Sequence, residues 1–141
     1  MKPRKLPSGR EIKLLAAAVE QNLNLRMPRD YIEFVSQNDG YSGLVGQSYL
    51  QLFPCDTLIE NNSGYQGGTP AEKLLIFATD GGGELFVIDA RHEKQRYIMV
   101  NSVGWEIDNP ITLGQSFDEF LRAIRDGQQW SASPGSESAV T

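Results

Sequence analysis

The chain holds one cysteine, Cys55, and one histidine, His92, among its 141 residues. A lone thiol closes no internal disulfide and builds neither a thiolate zinc site nor a redox dithiol within one chain. A reducing cytoplasm is the compartment that suits it. A lone imidazole leaves little for nucleophilic catalysis, because a Ser, Cys or Thr nucleophile needs a base beside it, and His92 falls in a polar turn with no oxyanion motif nearby. Cys55 lies between Pro54 and Asp56, without the cationic setting that activates a thiol, so it reads as a small buried hydrophobe. Long apolar runs are missing as well. Nothing approaches the roughly 20 residues that span a bilayer. The run from Leu14 to Val19 is bounded by Lys13 and Glu20, which makes it a helix segment rather than a secretion signal. Without export, the sequon Asn61-Asn62-Ser63 has no glycosylation to direct. Positive charge is scarce: 13 basic residues face 18 acidic ones, a net charge of −5. Such a surface repels phosphate backbones and anionic membranes and suits a basic protein partner. The basic residues that do cluster, Lys2, Arg4, Lys5 and Arg10, belong to an N-terminal arm that reads as a solvated tail.

What remains is the composition of one globular domain, with 40% hydrophobic and 22% charged residues. Ser8-Gly9-Arg10-Glu11 is a capping-box pattern, and Ile12, Leu15, Ala16, Val19 and Leu23 follow at helical spacing, so a first helix is expected from Ser8 to about Asn22–Asn24. Pro28 suits the first turn of a second helix carrying Tyr31, Phe34 and Val35 on one face, stopped by Asn38-Asp39-Gly40. Residues 41–72 are broken by glycines. Only Tyr49 to Phe53 reads as a strand there, Pro54 is placed to open a short helix with Leu58 and Ile59, and Asn61 to Pro70 reads as a mobile loop. Three strand signals follow: Leu74 to Ala78, Glu84 to Asp89 and Arg96 to Val100. The turn-forming links Thr79-Asp80-Gly81-Gly82-Gly83 and His92-Glu93-Lys94-Gln95 make them an antiparallel meander. Consecutive apolar residues in the first two imply strands covered on both faces. A second capping pattern, Ser116-Phe117-Asp118-Glu119, opens a last helix with Phe117, Phe120, Leu121 and Ile124 buried. The expected fold is α+β, a single domain over residues 8–130 with a central, mainly antiparallel sheet flanked by helices, between a flexible arm at 1–7 and a disordered tail at 131–141.

Chemistry is hard to find in these segments. Gly81-Gly82-Gly83 lacks the lysine and spacing of a phosphate loop and leads into a strand, so positive φ in a turn explains it more simply. Asp80, Glu84 and Asp89 offer carboxylates, yet the first two flank the turn as solvated strand ends do. Asp39 with Asp80 has no calcium-loop spacing. Neither a catalytic residue, a metal nor a cofactor is expected.

Three spaced motifs carry a likeness. They are Met27-Pro28-Arg29-Asp30-Tyr31 with Phe34 and Asn38-Asp39-Gly40, the long run from Ile76 to Asp89, and Ser116-Phe117-Asp118-Glu119-Phe120-Leu121. Together, over about residues 8–125, the chain resembles the SUKH superfamily. It departs in having Met27-Pro28 where members often have Leu-Pro, and Asn38-Asp39-Gly40 where they often have Asn-Gly. The resemblance implies an α+β fold with a mainly antiparallel sheet and no catalysis. It also implies a protein partner: bacterial members are commonly immunity proteins bound to a cognate toxin, and eukaryotic relatives are interaction modules in cell-wall regulation.

The family motifs mark scaffold rather than a binding surface. Contact candidates were therefore sought among exposed acids and aromatics of the irregular segments, giving Asp39, Tyr41, Tyr65, Asp80 and Glu84. The first expectation is a cytoplasmic antitoxin that occludes a basic toxin domain, a nuclease among the candidates. The alternative is a regulatory module that binds a host protein segment or small ligand in a groove beside the sheet. An enzyme would instead need a pocket converging on Asp80, Glu84 or His92 with shifted pKa values.

Overall fold

Ser8 opens the molecule as expected: its hydroxyl accepts from Glu11 N at 3.1 Å while the Glu11 carboxylate accepts from Ser8 N at 2.7 Å. These bonds satisfy backbone donors that a helix N-terminus leaves free. The computed structural model describes residues 7–65, 72–103 and 107–127. The expected tail at 131–141 and nearly all of the arm at 1–7 lie outside the described residues. The first helix, α1 (Gly9–Leu23), buries Ile12, Ala16, Val19 and Leu23 and ends at Asn24 in the left-handed region. Pro28 precedes α2 (Arg29–Asn38), and Gly40 at φ 74° turns the chain out of it. Then come a hairpin of β1 (Ser42–Val45) and β2 (Ser48–Leu52), a 3-10 turn at Cys55–Thr57 and α3 (Leu58–Tyr65). The meander β3 (Leu74–Thr79), β4 (Glu84–Asp89) and β5 (Arg96–Asn101) follows, then β6 (Ile111–Gly114) and α4 (Phe117–Arg125).

All six strands form one antiparallel sheet in the order β1-β2-β3-β4-β5-β6, so the fold is α+β with a central sheet and helices packed against it. The expected meander is its middle. Leu74 to Ala78 in β3 and Leu85 to Asp89 in β4 are buried without alternation, which means both faces are removed from water. One face holds an aromatic cluster. Pairing steps from Ile76–Val87 to Ala78–Phe86, leaving Phe77 as the bulged residue. Phe77 packs edge-on against Tyr31 of α2 at 5.5 Å, Tyr97 of β5 at 5.7 Å and Phe120 of α4 at 5.1 Å. Each such pair adds about 0.5–1.5 kcal/mol to what area burial alone gives. Asp30 ties the same cluster at its polar end. One carboxylate oxygen accepts from Tyr31 N at 2.8 Å and the Tyr97 hydroxyl at 3.4 Å, and the other accepts from Phe117 N at 2.8 Å, so a single carboxylate serves the first turns of α2 and α4.

Residues 42–45 and 111–114 are two further strands, for which no element was expected. One expectation for the irregular segments is corrected: Asn61 to Tyr65 is helix rather than mobile loop. The helix survives its poor formers because Asn62 is fully buried and tied to the sheet. Its amide nitrogen donates to Ile76 O at 2.9 Å and Leu58 O at 2.8 Å, and its amide oxygen accepts from Ile76 N at 2.8 Å. β2 pairs with β3 only at Gln51–Thr79 and Leu52–Ala78, with one further bond from Phe53 N to Phe77 O. Beyond that point the Asn62 amide occupies the place of the missing strand. Asn62→Ala therefore orphans both backbone groups of Ile76, and urea unfolding is expected to show a loss of about 2–4 kcal/mol. A loss under about 0.5 kcal/mol, the range of an ordinary surface change, would contradict this role.

Candidate functional site

The β1–β2 hairpin turns at Gly46, whose φ is 64° and where a Cβ would lie 2.7 Å from the Arg125 carbonyl. That close approach sets the hairpin against the end of α4. Alternation along β2 turns Leu50 and Leu52 into the core and leaves Tyr49 and Gln51 outside. On β1 the matching outer positions are Ser42 and Leu44, and Leu44 pairs across the ladder with Tyr49. Leu44 is 65% exposed and Tyr49 40%. The Tyr49 ring lies beside Gly81, where a Cβ would come within 3.3 Å of it, and its hydroxyl meets the Ser42 hydroxyl.

Gly81 belongs to the turn between β3 and β4, which Asp80 holds in shape. Its carboxylate accepts from Gly82 N at 2.7 Å and Glu84 N at 3.1 Å, and Gly81 takes a φ of 79°. Glu84 stands at the start of β4 and accepts from the Asn101 side chain at 3.2 Å. A groove of about 350 Å3 opens between the hairpin and this turn, lined by Gln47, Ser48, Tyr49, Asp80, Glu84, Phe86 and Ile124. It thus sets two carboxylates beside the Tyr49 ring, a mixture found at recognition surfaces. A larger groove of about 580 Å3 lies elsewhere, where Glu20, Arg26, Lys73, His92, Glu93 and Gln95 mix both charges.

Of the five residues singled out in the sequence, the structure brings Asp80 and Glu84 together. Asp39 is corrected: it is not an exposed acid but 5% exposed, accepting from Cys55 N at 2.8 Å at the end of α2. Tyr41 is half-buried, with its ring edge-on to Phe34 and its hydroxyl donating to Leu44 O at 3.0 Å. Tyr65 is the last residue of α3, and its side chain lies outside what is described. Leu44 and Tyr49 were not singled out. The signal for Tyr49 was present in the alternation from Ser48 to Leu52, but Gly43 and Gly46 concealed the partner strand.

The chemistry around Cys55 is that of a core. Burial pushes its thiol far above the ordinary 9.0, and the neighbouring Asp39 charge and hydrogen bond push the same way. Tyr31, fully buried beside it, is likewise raised well above 10.0, by burial first and then by Cys55 and Asp39.

The fold defines the class: an α+β domain built on an antiparallel six-stranded sheet, with a hairpin at one edge that turns Leu44 and Tyr49 outward. The chain belongs to the SMI1 / KNR4 family (SUKH-1), whose family model matches residues 12–123. Domains of this family are generally immunity or regulatory proteins rather than enzymes. No curated protein matches the chain. Among the described residues no helix is long and apolar enough to cross a membrane.

Two outcomes follow for Cys55. The native chain should resist alkylation by iodoacetamide at pH 8.5 and react fully once unfolded in urea, as read by mass spectrometry; rapid native labelling would show an activated thiol. Its folded pKa is raised, so above pH 9 the unfolded chain releases a proton that the folded chain keeps. Stability should then fall as pH rises past about 9, and Cys55→Ala should flatten that fall in part, since Tyr31 and Tyr97 are raised as well.

Proposed function

We propose that the chain is a bacterial immunity protein: it binds a cognate protein toxin in the cytoplasm and neutralises it by occlusion, with no catalysis of its own. The single observation that carries this reading is the family match over residues 12–123, in a family that is generally of immunity or regulatory proteins. Charge and surface support it. A net charge of −5 attracts a basic toxin domain, nucleases among them, and speeds the encounter. Of the groups that an enzyme reading would recruit, Asp80 holds the amides of its own turn, Glu84 accepts from the Asn101 side chain, and His92 lies in a different groove. Residues 8–130 are taken as the binding domain, with Asp80, Glu84 and Tyr65 as contact candidates and Asp39 and Tyr41 as supports behind them.

Co-expression provides the test. Induced alone, the toxin encoded beside this gene should arrest growth, and this chain supplied in trans should restore it. The association rate of the purified pair should fall by about tenfold or more between low and physiological salt. Growth arrest that persists, with no complex formed by any product of the adjoining genes, would sink the toxin reading. Retrieval of a host regulatory protein at micromolar affinity or tighter would replace it with the interaction-module alternative.

A further inference from the structure

We propose that the partner docks face-on against the outer surface of the β1–β2 hairpin, using Tyr49 and Leu44 as apolar anchors. The occupant is a basic protein surface that places a lysine or arginine side chain in the adjoining groove. This rests on the immunity reading above and names the face it would use.

Leu44 and Tyr49 are cross-strand neighbours left in water, although the sheet beside them is buried on both faces. What sets them apart from an isolated exposed residue such as Leu14 is that they lie side by side and adjoin a groove that carries charge. Gly81 and the Ser42 hydroxyl already hold the Tyr49 ring, so an aromatic anchor loses little rotamer freedom on binding. The groove beside it sets the Tyr49 ring next to the carboxylates of Asp80 and Glu84, over a floor that Phe86 and Ile124 support from within the core. An exposed aromatic ring with two carboxylates beside it fits an aliphatic stem that ends in a cation. The charge is available: Asp80 and Glu84 form no ion pair among the described residues, while Arg125, which packs on the hairpin turn, is paired with Asp126 at 3.3 Å.

Addition of a strand to the β1 edge is the competing geometry, and this four-residue edge is capped at one of its outward carbonyls. Leu52 N donates to Tyr41 O at 2.7 Å, so the alternation of an antiparallel ladder leaves the Leu44 backbone pointing outward. The Tyr41 hydroxyl takes that Leu44 carbonyl. An edge capped in this way offers side chains rather than a backbone ladder.

The probe is the toxin domain encoded beside this gene, titrated against the full chain. Tyr49→Ser should raise Kd by about 30-fold or more and Leu44→Ser by about fivefold, while melting temperatures stay within about 2 °C of the parent. Glu84→Lys should slow association by about tenfold at low salt and much less at high salt. Leu14→Ser, at a residue 66% exposed on α1, serves as the control and should leave Kd unchanged. Hydrogen exchange of the parent complex should show protection over residues 42–51 and 80–84, a readout that does not depend on any variant folding. A parent chain that fails to bind overturns the immunity reading, and this face with it. A parent chain that binds, with both serine variants within about twofold or with protection confined to the Arg26–His92 groove, overturns the face alone.

Discussion

A strand buried on both faces has no water to turn to, so every N–H and C=O along it needs a protein partner. β3 is that strand, and its neighbour β2 pairs with it over only two residues. The rest of that edge is completed by one side chain, Asn62, whose amide bonds both backbone groups of Ile76. From this one substitution of side chain for strand several features follow. α3 must lie against the sheet to deliver the amide, and β2 is released early from β3. At the other end of the pairing β3 stops at Thr79, so residues 48–50 and the outer half of the hairpin run on alongside the Asp80 turn with one side in solvent. The same local departure from regular pairing includes the bulge that places Phe77 within the rings of Tyr31, Tyr97 and Phe120. The irregular stretch of the sheet therefore builds the core, while the candidate face lies past the end of β3.

Carboxylates are divided between structure and surface. Asp30 and Asp39 accept backbone N–H groups at helix and turn starts, where a negative charge is favoured. Asp89 is fully buried at the end of β4 and is held by Arg91 Nε at 2.9 Å and Arg96 Nε at 3.0 Å. Burial pushes its pKa up, but the hydrogen bonds from Arg91 and Arg96 outweigh burial and hold it below the ordinary 3.8. Its stabilising contribution is thus present above about pH 4 and is lost as the pH falls through the lowered value. Arg91 also donates to Ile107 O and Arg96 to Thr112 Oγ1, which links this ion cluster to the approach of β6. A net negative charge therefore overstates what is free to attract a partner. The acids left for the surface include Asp80 and Glu84, and Asp80 still shapes its own turn.

Much of the scaffold could be read from local chemistry. Ser8 with Glu11 gave the start of α1, and Ser116, whose hydroxyl accepts from Glu119 N, gave the start of α4; there Glu119 returns its bond to Gln115 N rather than to Ser116, so the second box is only half closed. The glycine-linked meander and its buried strands were equally legible, because consecutive apolar residues admit few alternatives in so short a run. β1, β6 and α3 were not legible. Ser42-Gly43-Leu44-Val45 lacks strand propensity, and Ile111-Thr112-Leu113-Gly114 is too short to declare itself. Asn61-Asn62-Ser63-Gly64 favours turns, and tertiary bonds override that preference. Asp39 misled for the same reason: an acid in a turn motif looks exposed until the fold brings Cys55 N to it.

The candidate site was the least legible part, and the reason is physical. A core residue is constrained by period and volume, both visible along the chain, whereas a binding face is defined by what the fold fails to cover. Tyr49 and Leu44 become neighbours only through a ladder that Gly43 obscures, and the groove beside Tyr49 draws its lining from the hairpin, the Asp80 turn, β4 and α4 together. Gly43 itself is tied to Tyr41, since a Cβ at that position would stand 3.0 Å from the tyrosine hydroxyl that caps the edge. The small residue that conceals the strand in the sequence is therefore also what leaves room for the cap on its edge. The outward side chains of the hairpin can change without disturbing β3, because Ser42, Leu44 and Tyr49 take no part in the aromatic cluster described above. A scaffold arranged this way can keep its core fixed while its recognition surface varies.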